Sequence, residues 1–257
     1  MKLPTPLEFV WRTRSTEPLL AWLAVRVPVI PAAVWRMVML LVFASGATCL
    51  VWALRVVLSG HLRHLFLPWN LFLAWLPLVL AVGSLECGRR IGWRSWQPWL
   101  LATAWLLFFP NAPYLFTDLV HLRGVQDQRY WIDLIMILLF AWPGFLAGCL
   151  SLRLFHAKLA GHIGGFRAWA CVGLTCGLAG VGVYIGRFLR WNSWDVVVDP
   201  LGLGIDLLGF FGHPITHPAY RFTALFGLLL FIGYVTLHAL TQFPSACERT
   251  TSGQLSK

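Results

Sequence analysis

From Met37 to Leu58 the chain reads MVMLLVFASGATCLVWALRVVL, a run in which Arg55 is the only charged residue. A helix needs about 20 predominantly apolar residues to cross the ~30 Å hydrocarbon core of a bilayer. Five more such runs follow: Leu67 to Leu85, Gln97 to Leu119, Trp131 to Leu154, Ala168 to Phe188 and Phe222 to Phe243. Leu, Ala, Gly and Trp fill them without the period-two alternation of an outer-membrane strand, which points to helices over a barrel. Composition argues the same way, with 58% hydrophobic and 12% charged residues against about 25% charged in soluble domains. The predicted fold class is all-α: a polytopic transmembrane helical bundle of six spans, forming one domain over 37–243, with a kinked or broken third helix.

The flanks carry different expectations. Residues 1–36 lack the short charged start, apolar core and small-residue cleavage site of a signal peptide. Their apolar stretch PLLAWLAVRVPVIPAAV is interrupted by Arg26 and by Pro18, Pro28 and Pro31, as expected for an amphipathic segment lying on the membrane surface. Residues 244–257 read as a tail. The net charge of +10 is distributed unevenly: 13 of the 20 Lys and Arg residues flank the even-numbered connections and the two termini. By the positive-inside rule these termini and the 86–95 and 153–167 connections are assigned to the cytoplasm. The basic excess is thus a topology signal and no nucleic-acid partner is implied. The six aspartates Asp118, Asp127, Asp133, Asp195, Asp199 and Asp206 all fall on the opposite face. The six cysteines read as packing residues.

That opposite face holds the chemistry-bearing motifs. FFPNAPYLFTDLVHL, Phe108 to Leu122, breaks the third span: Pro110 and Pro113 remove two amide donors and free carbonyls one turn earlier, which the Asn111 amide can satisfy. With Tyr114, these residues mark a helix break inside the outer leaflet, either a kink closed by packing or the lining of a polar cavity. Beyond it, Asp118 and His121 share a face of a resumed helix. They form an acid/base couple, or two metal ligands, or an aspartate paired with a loop arginine beside a headgroup-level histidine. Asp133, in YWIDLIMILLFAWPG, is placed in the first turn of span four, where the helix dipole favours an acid. Asp118, His121 and Asp133 are the candidate catalytic residues.

GRFLRWNSWD, leaving span five, supplies the candidate anion- or headgroup-binding residues Arg187, Arg190, Asn192 and Asp195, because guanidinium forks hold phosphates and carboxylates bidentately. The carboxylates of Asp118 and Asp133 and the guanidinium of Arg190 are expected in one cluster. Asp199 before Pro200 reads as a helix N-cap, opening a short helix through LGLGIDLLGFF. In HPITHP the prolines oppose helix at His213 and His217, so a loop is expected there and no metal is assigned. No cofactor signature is present. Gly144 with Gly148, Gly173 with Gly177 and Gly182 with Gly186 form small-xxx-small faces, read as bringing spans four and five together or as contact surfaces for a second copy or another membrane protein.

The blocks FFPNAPYLFTDLVHL, YWIDLIMILLFAWPG and GRFLRWNSWD, in this order, resemble the bacterial integral-membrane family called domain of unknown function 1361. The resemblance spans residues 40–240 and implies a multi-pass membrane protein, with no activity or cofactor to carry over. The leading expectation from the residues is a polar site on the outer face that binds or processes an anionic lipid or lipid-linked headgroup, membrane lipids being the partner. A proton-coupled transporter and a non-catalytic scaffold or assembly subunit are the alternatives.

Overall fold

The computed structural model describes residues 32–254 except positions 61, 63, 124–127 and 213–216. The surface segment expected before residue 32 therefore lies outside the described residues, as do Asp127 and His213. The six apolar runs form α1 (Ala32–Ser59), α2 (Phe66–Ile91), a third span beginning with α3 (Trp96–Phe108), α5 (Gln128–Ile163), α6 (Gly165–Tyr184) and α9 (Pro218–Gln254). The third span continues through α4 (Asn111–Tyr114) and a 3-10 helix, Leu115–Leu122. Short α7 (Asp195–Val198) and α8 (Pro200–Gly212) lie between spans five and six. No strand occurs among the described residues, and α9 runs on through most of the stretch read as a tail.

The bundle is built around α5. Its most apolar window is 61% buried, against 11% for α1, so α5 is the central pillar and α1 a peripheral helix. Leu40, Phe43, Leu54, Val57 and Leu58 of α1 are exposed, a face that water would not tolerate and lipid accepts. With six helices long and apolar enough to cross a membrane, the chain is a multi-pass membrane protein.

The third span yields at its two prolines as the sequence requires, with a bend of 18°. The Phe109 amide still reaches the Trp105 carbonyl at 2.8 Å, whereas the Ala112 amide turns to Phe109 at 3.1 Å, tightening the backbone into the 3-10 segment. The carbonyl of Leu107, left over at the break, accepts a hydrogen bond from Ser193 Oγ at 3.3 Å, and Asn111 Nδ2 donates to the same hydroxyl at 3.1 Å. Asn111 thus serves the break through Ser193 and not directly as expected, which ties the turn after span five onto the third span.

The glycines seat this irregular segment. A Cβ on Gly144 would come within 2.6 Å of Leu115 Cδ1, one on Gly148 within 2.6 Å of Ala112 Cβ, and one on Gly182 within 2.4 Å of Pro110 Cγ. A Cβ on Gly186 would meet the Tyr114 ring at 3.3 Å. Spans four and five do pack on each other, but the glycines expected to bring them together, Gly144, Gly148, Gly182 and Gly186, instead clamp the broken third span from two sides. The close approach that α6 does make is to α9, where a Cβ on Gly180 would lie 2.4 Å from the Thr223 carbonyl oxygen.

Candidate functional site

Wedging residues 110–122 between α5 and α6 carries Asp118 into the interior, and α5 itself buries a second aspartate, Asp133. Asp118 is 1% and Asp133 0% exposed. A carboxylate buried this deeply needs partners: among the described residues Asp118 has hydrogen bonds and an ion pair, Asp133 charged neighbours alone.

Asp118 accepts hydrogen bonds from Asn70 Nδ2 at 2.9 Å and from Arg187 Nη2 at 3.1 Å. The same guanidinium donates to the Thr117 carbonyl and, at 3.4 Å, to the Tyr114 hydroxyl. It lies 5.3 Å from the Tyr114 ring centroid, within cation–π range. Because side chains three apart eclipse on a 3-10 helix, His121 stacks over Asp118 with Nε2 3.9 Å from Oδ1. The imidazole is the solvent-facing member of this pair, at 43% side-chain exposure.

Asp133 forms the second centre. It lies past the first turn of α5, so pairing and not the helix dipole accounts for its charge. Arg55, the lone charge of the first apolar run, is ion-paired with Oδ1, and His64 Nε2 stands 3.3 Å from Oδ2. His64 has φ 66°, a left-handed conformation that costs a non-glycine residue on the order of 1 kcal/mol. The ring of Phe66 lies between the two centres, 5.6 Å from His64 and 4.4 Å from His121, centroid to centroid. The two carboxylates thus share one polar layer, held by α1, α2, the broken third span, α5 and the turn that ends span five.

Arg190 is not part of this layer. The end of span five is a π turn, Ile185–Leu189, that closes on Arg190 with φ 64°. Arg190 is exposed and forms no ion pair among the described residues. The guanidinium paired with Asp118 is that of Arg187, and the expected cluster of Asp118, Asp133 and Arg190 is corrected accordingly. Asn192 and Asp195 are committed to one another: the Asn192 backbone amide and Nδ2 donate to Asp195 Oδ2 at 2.6 and 3.2 Å, which makes them an exposed turn. Asp199 caps α8 as expected, accepting from the Gly202 amide at 3.0 Å. His217 Nδ1 accepts from the Ala219 amide at 3.3 Å at the start of α9.

Asn70, Arg55 and His64 were not among the residues that the sequence singled out, although two of them carried a signal. Asn70 is the only side-chain amide in α2 and Arg55 the only charge between Met37 and Leu58. Polar residues inside apolar spans are functional candidates by default. Among the described residues no three His, Cys, Asp or Glu side chains group closely enough to hold a metal ion.

Beside Arg55 the surface is grooved. Val51, Leu54 and Leu58 of α1 and Ile132, Ile135 and Leu139 of α5 line a cavity of about 560 Å³ that has Arg55 in its wall. It shares Val51, Ile135 and Leu139 with a second cavity of about 670 Å³ that continues between α1 and α5 to Phe116 and Trp142. These volumes fall within the ~300–1,000 Å³ usual for ligand sites. Apart from Arg55 and Thr48 the lining of the two cavities is apolar, and Leu54, Leu58, Ile132 and Ile135 in it are exposed.

Residues 69–233 match the model of a family described as Protein of unknown function (DUF1361). No curated protein and no solved structure matches the chain.

Proposed function

The chain belongs to the DUF1361 family, described only as of unknown function, and we propose from the geometry that it binds an anionic lipid or lipid-linked headgroup in the groove between α1 and α5. The observation that carries this reading is the position of Arg55, which lines an otherwise apolar groove while its guanidinium is ion-paired with buried Asp133. An arginine has five donors in a planar fork. With Asp133 and Met136 Sδ both on Nη1, Nε and Nη2 would be the donors to a phosphate whose chain lies along Val51, Ile135 and Leu139. The basic connections at the other end of the bundle face the cytoplasm of an inner membrane in this reading, and the polar layer faces outward.

Asp118 and His121 add a capacity to handle a proton. The carboxylate is buried and the imidazole exposed beside it, so a proton can pass between the surface and the interior without a mobile loop. Arg187 and Asn70 position the carboxylate. A groove walled by exposed apolar side chains such as Leu54, Leu58 and Ile132 favours a lipid ligand over a translocated solute.

Native mass spectrometry of the purified protein with its co-purified lipids tests the proposal. One retained class of anionic lipid is expected, lost in Leu139→Trp, which fills the groove from an exposed position, and weakened in Arg55→Lys. A bulk-like lipid profile that neither variant changes would overturn it.

A further inference from the structure

The opposite end of the bundle carries a groove of different construction. It lies between α3 and α6 over α5, with a volume of about 460 Å³, and its floor is formed by the buried side chains of Trp105, Leu152, Phe155 and Val172. Its rim is polar and built: Trp93, Lys158 and His162.

Trp93 is fixed by its surroundings. A Cβ on Gly88 would fall 2.3 Å from its indole, so the ring lies directly on the α2 backbone where only glycine fits. The Trp93 carbonyl accepts from Trp99 Nε1 at 2.9 Å, and the two indoles meet edge to face at 5.5 Å. Lys158 Nζ stands 5.3 Å from the Trp93 ring centroid and forms no ion pair among the described residues. His162 Nδ1 donates to the Lys158 carbonyl at 2.9 Å, which holds the exposed imidazole at the rim beside Lys158.

No carboxylate lines this groove. The acid nearest in sequence, Glu86, is engaged by Arg89 and Arg90. A cation held over an indole at the mouth of an apolar slot has the complementarity of a phospholipid, with an acyl chain below and a phosphate above. We infer that the groove between α3 and α6 is a second lipid site, which takes an anionic phospholipid from the leaflet at the basic end of the bundle with its phosphate on Lys158. Asp133 and Lys158 are 25 residues apart on α5, or ~37 Å along the helix, so this site is independent of the groove beside Arg55.

The test is a lipid titration of the delipidated full chain by native mass spectrometry, with phosphatidylglycerol and phosphatidylcholine of matched chains. The probes are wild type, Lys158→Ala, Leu106→Trp, which fills the groove from a partly exposed wall, and Arg55→Lys. Lys158→Ala is expected to weaken one phosphatidylglycerol site about fivefold and to leave phosphatidylcholine unchanged. Leu106→Trp removes that site for both lipids, and Arg55→Lys leaves it intact. Equal affinity of wild type for the two lipids, or an unchanged titration in Lys158→Ala and Leu106→Trp, would overturn the inference. Failure of the α1 and α5 groove appears separately, as an unchanged Arg55→Lys titration.

Discussion

Arg187→Ala removes the one arginine that pairs with Asp118 among the described residues. The carboxylate is 1% exposed and retains Asn70 as a hydrogen-bond donor, with His121 3.9 Å away. Stripping one partner from a buried ion pair costs about 3–5 kcal/mol. Because the Arg187 side chain is 18% exposed, some water can replace it, which places the expected loss at the low end, about 3 kcal/mol. By the scaling of domains this size, that is a fall of roughly 6–12 °C in Tm. Thermal unfolding of the purified variant in detergent reads it. Asp118→Asn in the same background tests the cause: a neutral amide leaves no stranded charge, so the double variant should be at least ~1 kcal/mol more stable than the sum of the two single losses implies. Additive losses, or a loss no larger than that of Arg190→Ala, would refute the pairing.

Three further outcomes follow from the same geometry. Arg190 closes the π turn in a left-handed conformation, so Arg190→Gly should be neutral or raise stability by up to ~1 kcal/mol in the same melting assay. A loss would mean that its guanidinium has a partner. Gly182→Ala drives a methyl into Pro110 and should cost about 1–3 kcal/mol, whereas Gly177→Ala meets nothing within 4 Å and should be harmless; comparable melting of the two variants would contradict the clamp. Reporter fusions at Lys257 and within 124–128 should give cytoplasmic and external signals respectively, following the split of basic residues, and the reverse pattern would place the polar layer indoors.

The architecture was legible because a bilayer imposes length and hydropathy on each span, and the break was legible because proline cannot donate. Asp118 and Asp133 were legible for the same reason, being charges in apolar settings. Their partners were not. Asn70 meets Asp118 across 48 residues and Arg187 meets it across 69, and no local pattern encodes which cation reaches which carboxylate. The choice between Arg187 and Arg190 illustrates this. On a continuing α-helix, two arginines three apart share a face, but the π turn and the left-handed residue that ends it separate them. The glycine faces misled for a related reason. Spacing of four announces that something packs closely, and here it is the irregular third span that fills the space.

A structure of the full chain determined by electron microscopy in nanodiscs containing phosphatidylglycerol tests the lipid-headgroup proposal most directly. The account predicts an elongated density along Val51, Ile135 and Leu139 that ends in a phosphate-sized feature at the free edge of Arg55, with Asp133 still paired behind it. A groove that closes as α1 settles onto α5, or one whose density is no stronger than that of the surrounding bilayer, would contradict it.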